Sequence, residues 1–486
     1  MVSARTFSLQ DQLEFAQISG DWNPLHVDSV VARRTIFGAP IVHGVHQVLW
    51  ALEQYCKGAG PLPRRLTELR VNFAKPLYLD ELVTLQVETD ALHQSTRLQV
   101  MNPSGTTADI FARFEDSVAT PGVEPARYRW AERIAPHELT VAQGAVATGA
   151  LELLFDSAHA TNLFPALCAQ LSACTVAELL ATTRLVGMIA PGLHSLFAGL
   201  HLQATAAASP AMPATVSYRP GKTSEKYSIL EYIVQGPTLQ GDVKAFYRPP
   251  PVEVRVATRD DVMANEFADV RALIVGGSRG LGAAFARSIC AGGGHATVTY
   301  HRGVGEAGAL VQDIISRGGD AVAVQYDVTA NQALPSEMAQ AFTHLIYCAT
   351  PVLLSTRKGA AFEPLHLRTM VDYFVVGMVQ LVQALRGPSH ALHTVISPST
   401  IFLNSGQGGL AYGVAKAAME EACRYLVRES VPPLRMFAPR LPKTATDQTA
   451  SLVASTAADP IVVAVQCLRQ SRTIEGQQGI GCALSS

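Results

Sequence analysis

Apolar residues along this chain recur in two rhythms, helical and alternating, and the order of those rhythms repeats. Between Val45 and Tyr55, the residues Val48, Leu49, Leu52 and Tyr55 stand at helical spacing, and Leu66-Thr67-Glu68-Leu69-Arg70-Val71 follows that helix. Asn162 to Leu180 is a second, longer apolar-periodic stretch that reads as one buried helix. After it come Val186-Gly187-Met188 and then Leu196-Phe197-Ala198-Gly199-Leu200-His201-Leu202, an echo of the earlier strand. Alternating strands continue to Lys244-Ala245-Phe246-Tyr247, so the pattern of helix first and strands after occurs twice. A different pattern begins at Val270. The run Val270 to Val275 is continuously apolar, as in a strand buried on both faces. It leads straight into a glycine-rich turn, a helix over Ala283–Ile289 and a further strand, Ala296–Tyr300.

Two linkers separate these patterns: Ser117 to Pro125, rich in proline and small residues, and Pro249-Pro250-Pro251 through Asp261, proline-stiffened and then charged. They divide the chain into expected domains over 1–118, 119–255 and 256–486. A length of 486 residues holds two or three cores, and 48% hydrophobic with 16% charged residues is ordinary for a well-packed enzyme. A net charge of −2 leaves no electrostatic footprint for nucleic acid. The eight cysteines form no Cys-x-x-Cys and lie mostly in apolar segments, as reduced core residues do. The start has no apolar targeting region and no stretch approaches the length of a membrane span. The expectation is a cytoplasmic protein with no membrane and no nucleic-acid partner.

The first candidate chemistry lies in Ile18-Ser19-Gly20-Asp21-Trp22-Asn23-Pro24-Leu25-His26. Asn-Pro forces the preceding residues out of the helical region and fixes a tight turn, so that Asp21 and His26 converge on one point. A carboxylate and an imidazole so placed suit the addition of water to a carbon–carbon double bond, or its removal. One group handles the hydroxyl proton and the other the carbon-bound proton. An Asx-turn beside a surface histidine is the plainer reading of the same residues. Downstream, Pro40-Ile41-Val42-His43-Gly44 opens the first helix, where Gly44 offers a bare backbone N–H and the positive end of a helix dipole to a thioester carbonyl. His43 and His46 read as packing or hydrogen-bonding residues. Pro191-Gly192-Leu193-His194 is no second copy of this opening, because His194 falls after its helix.

The second candidate begins where the strand ending at Val275 meets Gly276-Gly277-Ser278-Arg279-Gly280-Leu281-Gly282. Strand, glycine turn and helix N-terminus make a pyrophosphate cradle. Far downstream, Tyr412 and Lys416 stand at i and i+4 on one helix face, where the ammonium lowers the phenol pKa, and Ser399 precedes Tyr412 by thirteen residues.

The first set, Ser-Gly-Asp-x-Asn-Pro-Leu-His with Pro-Ile-Val-His-Gly, resembles the MaoC-like (R)-specific enoyl-CoA hydratase family of hotdog-fold proteins over roughly residues 5–116. That resemblance implies that Asp21 and His26 activate water, and that Gly44 lies near an oxyanion hole, with Asn23 beside it on the substrate side. The repeat over 130–250 is then a second hotdog without the Asp/His pair, a silent half that supplies cleft wall and acyl-chain pocket. The second set resembles the short-chain dehydrogenase/reductases over roughly 268–486. It implies Tyr412 as acid/base, Lys416 as its tuner and ribose ligand, and Ser399 as the holder of the substrate oxygen. The cofactor cradle would comprise Gly276, Ser278, Arg279, Gly280, Leu281 and Gly282. Asp327 would lie at the adenine, with Val328 and Ala349 alongside, and Gly476 matches a late family glycine. The fold expected is an α+β double hotdog followed by an α/β, Rossmann-type, doubly wound parallel sheet.

Departures from the second family are specific. Val275 stands where threonine is usual, Tyr347-Cys348-Ala349-Thr350 replaces Asn-Asn-Ala-Gly, Phe374 occupies the usual asparagine position, and Arg440 follows Pro439 where glycine is usual. Cofactor choice follows from charge: the strand ending at Tyr300 continues into His301-Arg302 with no acid, and Arg279 adds a second guanidinium, which favours NADPH over NADH. The function expected is a bifunctional dehydratase/ketoreductase on CoA- or acyl-carrier-protein-bound thioesters in a biosynthetic pathway, working as a homo-oligomer, dimer or tetramer, with no metal. A degradative hydratase/dehydrogenase and a non-catalytic acyl-carrier-binding scaffold are the alternatives.

Overall fold

The computed structural model describes the chain apart from residues 1–2, 61, 91, 117–131, 206–214, 331, 353–363, 387–390, 406–408, 452–455, 475–479 and 485–486. The expected boundary at 118/119, the linker at Ser117–Pro125 and Gly476 lie outside the described residues. Two compact units emerge, one built on residues 1–250 and the other on 251–450 and 455–486, dividing inside the proline run.

In the first unit one antiparallel sheet carries strands β1 (Ser3–Arg5), β2 (Arg64–Phe73), β3 (Val83–Asp90), β4 (Ser95–Asn102), β5 (Gly105–Asp116), β6 (Gly149–Glu152), β7 (Ser195–Ala204), β8 (Thr215–Ser224), β9 (Ile229–Gln235) and β10 (Leu239–Tyr247). Their order, β1-β3-β4-β5-β2-β7-β10-β9-β8-β6, joins two halves through β2 and β7. The sequence echo is therefore literal: Leu69 pairs with Leu202 and Val71 with Leu200. The helices Gly44–Gly58 and Ala173–Arg184, one from each half, bury Val48, Leu49 and Leu52 beside Val176, Leu179 and Leu180 in a shared core. The second helix is not the single element expected over Asn162–Leu180. It is broken into Ser157–Leu163, Pro165–Gln170 and Ala173–Arg184, because Pro165 lacks the N–H that would continue the first piece and Ser172 caps the third by accepting from Thr175 N.

The second unit is a parallel sheet of β11 (Arg271–Val275), β12 (His295–Tyr300), β13 (Asp320–Gln325), β14 (His344–Tyr347), β15 (Thr394–Ile396), β16 (Ser399–Thr400), β17 (Arg435–Leu441) and β18 (Ile480–Ala483). The order is β13-β12-β11-β14-β15-β17-β16, with β18 on β17. Ala272 and Ile274 join one core while Leu273 and Val275 join another, which is why β11 reads as an unbroken apolar run. One expectation needs correction: Pro364–Leu385 is a continuous 22-residue helix, long and apolar enough by composition to cross a membrane. Its Met370, Phe374, Met378, Leu381 and Val382 instead face the core beside β11 and β14.

Candidate active sites

Local rules place the first site. The helix Leu9–Ser19 ends at Gly20, whose φ of 74° turns the chain sharply, and Asn23 caps the short helix Pro24–Val27 by accepting from Leu25 N at 3.1 Å. Pro24 at the first helical position costs no hydrogen bond there. Asp21 and His26 thereby meet: with His43 they present atoms all within 4.8 Å of one another. The surface-histidine reading does not hold, since His26 is half-buried and Asp21 is 1% exposed.

Each partner has a defined protonation state. His26 Nδ1 lies 2.8 Å from the Ile41 carbonyl, so it carries the proton and leaves the Nε2 lone pair free. Burial lowers its pKa to about 4, the Ile41 bond raising it and the charge of Arg248 lowering it further. Burial pushes the Asp21 carboxyl up to about 6, against hydrogen bonds from Thr183 and Asn23 that lower it. At neutral pH the site thus holds a neutral imidazole and a carboxylate. His43 belongs here too, stacked on His26 at 3.9 Å, its Nε2 3.0 Å from the Asp21 carbonyl and its Nδ1 3.0 Å from Gln12 Oε1. A metal would accept the spacing of Asp21, His26 and His43, but His43 Nε2, facing the Asp21 carbonyl, carries the proton of its neutral ring and has no lone pair for a metal, so the cluster suits acid/base work. His46 is a packing residue, stacked on Phe15 at 4.5 Å. Gly44 begins the helix with no side-chain cap, and a Cβ there would lie 2.7 Å from the far end of the Phe73 ring, so glycine lets that ring pack against the helix start.

The half expected to be silent reaches this site. Thr183 donates to Asp21 Oδ2 at 2.6 Å, and Asn23 Nδ2 donates to the carbonyls of Gly187 and Gly192 at 2.8 and 3.2 Å. Neither Thr183 nor Gly187 carries a sequence signal, since nothing in the chain announces a contact across 162 residues.

In the second unit the cofactor cradle is formed. Gly276 has a φ of 73° and would place a Cβ 2.9 Å from Ala349 backbone, while a Cβ on Gly282 would lie 2.3 Å from Gly276 O. The helix Gly280–Ala291 starts without a side-chain cap, its N–H groups open to phosphate, with Ser278 and Leu281 flanking the turn. These residues fit a dinucleotide pyrophosphate. Asp327 accepts from Thr329 N and Oγ1 at 2.9 and 2.8 Å beside buried Val328. Arg302 is exposed after β12, whereas Arg279 pairs with Asp447 at 2.9 Å. The guanidinium expected at a 2′-phosphate from Arg279 is thus committed within the unit.

The residues expected to do chemistry here are rearranged by the departures. Arg440 stands opposite Ser399 in the β16–β17 register and grips both oxygens of buried Glu420, at 2.9 and 2.7 Å. Ser399 then donates to Glu420 Oε1 at 2.6 Å instead of facing a substrate oxygen. The next residue along β16, Thr400, accepts from Phe402 N at 3.2 Å and brings its hydroxyl to the Tyr412 phenol, where it favours the ionised form against the effect of burial. Lys416 donates to the Pro398 carbonyl at 2.7 Å and lies 3.9 Å from the centre of the Phe374 ring but 6.0 Å from that of Tyr412. Burial lowers Lys416 to about 8 and raises the Tyr412 phenol to about 12, so the expected lowering of the phenol is not what the structure holds. Helical spacing offered a missed clue: Tyr412, Lys416 and Glu420 share one face.

Comparison with known proteins agrees with both halves of this picture. Residues 2–108 match the MaoC-like domain and residues 271–454 the short-chain dehydrogenases. The (R)-specific enoyl-CoA hydratase of Aeromonas caviae is 32% identical over 94 residues, covering 19% of this chain and 68% of that protein. Peroxisomal multifunctional enzyme type 2 of Mus musculus is 30% identical over 119 residues, covering 23% of this chain but only 15% of its own length. A short-chain dehydrogenase from Burkholderia cenocepacia, solved in complex with NADP, is 19% identical with a TM-score of 0.37, covering 44% of this chain and 96% of that one.

Proposed function

We propose that this chain, which belongs to the MaoC-like dehydratase family through its N-terminal part and carries a short-chain dehydrogenase domain in its C-terminal part, reduces a 3-oxoacyl thioester and dehydrates the resulting 3-hydroxyacyl thioester. The observation that carries this reading is the pairing of buried Asp21 with half-buried His26, one ionised and one neutral near pH 7. In the hydration direction a water donates one proton towards the Asp21 carboxylate and the other towards His26 Nε2. Its oxygen lone pair then attacks C3, and the proton taken by the pair is returned to the α-carbon. Dehydration is the reverse. The Gly44 N–H and its helix dipole stabilise the charge that develops on the thioester oxygen.

In the second unit Gly276, Ser278, Gly280 and Gly282 would hold the pyrophosphate of a dinucleotide, and Arg302 a 2′-phosphate, which favours NADPH. The bound cofactor supplies a hydride to the carbonyl carbon. Tyr412 supplies the proton to the carbonyl oxygen, and Thr400 replaces Ser399 as the hydroxyl beside it. A second reading, a nicotinamide-binding domain without turnover, is favoured by the capture of Ser399 on Glu420 and of Lys416 on Pro398. CoA and acyl-carrier-protein forms of the thioester both suit the chemistry. A screen of 3-oxoacyl thioesters of several lengths, on both carriers, with NADPH and NADH, tests the reading. NADPH oxidation accompanied by enoyl product supports it; cofactor binding with no turnover on any thioester selects the second reading.

A further inference from the structure

The contacts across the two hotdog halves point to a role for the half that has no acid/base pair. We infer that Thr183 and Gly187 are positioning residues for the hydration site, holding the Asp21 carboxylate in the one orientation that addresses the water. This rests on the hydratase reading above and goes beyond it by assigning the second half a part in the chemistry.

Asp21 Oδ1 accepts from Asn23 N at 3.1 Å, and Oδ2 accepts from Thr183 Oγ1 at 2.6 Å. An ionised carboxylate has only acceptors, so the Thr183 hydroxyl must be the donor, and a hydroxyl–carboxylate bond of this length is charge-assisted. Thr183 is 3% exposed and sits in the last turn of the helix Ala173–Arg184. Immediately afterwards the helix widens into a π turn over Leu185–Ile189, closed by Ala190 N donating to Leu185 O at 2.8 Å.

That wide turn carries Gly187 against the catalytic loop. A Cβ on Gly187 would lie 2.2 Å from Asp21 Oδ1 and 2.6 Å from Oδ2, a distance no side chain could keep. The Gly187 carbonyl takes Asn23 Nδ2, and Met188 Sδ takes the Trp22 N–H at 3.2 Å. Asp21, Trp22 and Asn23 are therefore each gripped by the second half. The other titratable groups near the carboxylate are His43, whose Nε2 is 4.0 Å from Oδ2, and His26, within 4.8 Å. Arg248 acts on His26 rather than on Asp21.

The test uses the full chain with Thr183→Val, Thr183→Ser and Gly187→Ala, and crotonyl-CoA as the hydration probe. Loss of a donor to the charged form raises the carboxyl pKa. In Thr183→Val the acidic limb of the kcat/KM profile should therefore move up by about one pH unit, with kcat at pH 7 down about tenfold and KM within about twofold. Thr183→Ser should restore both. Gly187→Ala should lose about 100-fold in hydration while far-UV circular dichroism of the full chain is unchanged, which serves as the control for folding. Isotope-edited infrared titration of Asp21, taken as the difference from Asp21→Asn, reads the same shift without turnover. A hydratase reading that fails on wild-type protein is thus told apart from a failed positioning role. Thr183→Val with a wild-type infrared midpoint and pH profile overturns the inference.

Discussion

The two sites of this chain started from motifs of similar strength and ended differently. In the N-terminal unit Asp21 and His26 meet with lone pairs free, and their neighbours, Thr183, Ile41 and Asn23, all support the states the chemistry needs. In the C-terminal unit Ser399, Tyr412 and Lys416 are present at the expected spacing, yet Ser399 is held by the Glu420 carboxylate and Lys416 by the Pro398 carbonyl. The difference lies in what surrounds the motif. Around Asp21 every nearby residue is neutral or a donor, whereas Arg440 brings in Glu420, a strong acceptor, which captures the nearest hydroxyl. Phe374 offers Lys416 an aromatic face where an asparagine amide would have offered a hydrogen bond.

The sharpest way to break this contrast is at the first site. Asp21→Asn and His26→Ala should each lower hydration of a short enoyl-CoA about 100-fold or more while NADPH-dependent reduction persists. Hydration at the wild-type rate in either variant would remove the acid/base assignment. At the second site, Tyr412→Phe should abolish ketoreduction with cofactor binding nearly unchanged. Thr400→Val should cost about tenfold or more and Ser399→Ala no more than about threefold, read as kcat on a 3-oxoacyl thioester. The reverse order would restore the family assignment of Ser399 and show that the Glu420 bond opens when substrate binds.

Smaller effects sharpen the picture. Arg302→Ala should weaken NADPH about tenfold and leave NADH unaffected by fluorescence titration, whereas Arg279→Ala, by removing one of the partners of Asp447 beside the glycine turn, should disturb both cofactors alike. Hydration should fall about tenfold between pH 7 and pH 5, as Asp21 takes up its proton near pH 6. The same burial has a stability consequence. A carboxyl raised from 3.8 to about 6 binds more protons folded than unfolded, so its penalty grows as pH rises through that window and is full above it. Asp21→Asn should therefore be more stable than wild type at pH 7, by about 3 kcal/mol at most, and lose that advantage below pH 4 in denaturant titrations.

Local chemistry determined much of this molecule. The periodicities of Val45–Tyr55 and Val270–Val275, the Asn23-Pro24 turn and the glycine cradle each act over a few residues, and each formed as its residues dictate. Even the echo between Leu66–Val71 and Leu196–Leu202 was legible, because both strands must bury one apolar face. What only the tertiary structure decided are contacts between distant residues: Thr183 on Asp21, His43 beneath His26, Arg440 and Glu420 on Ser399. Arg440 was visible as a departure, but its effect passes through Glu420, a residue with no motif of its own. Hydrogen bonds across such separations depend on helix ends and strand registers brought together by packing, and periodicity carries no information about which donor will stand opposite which acceptor.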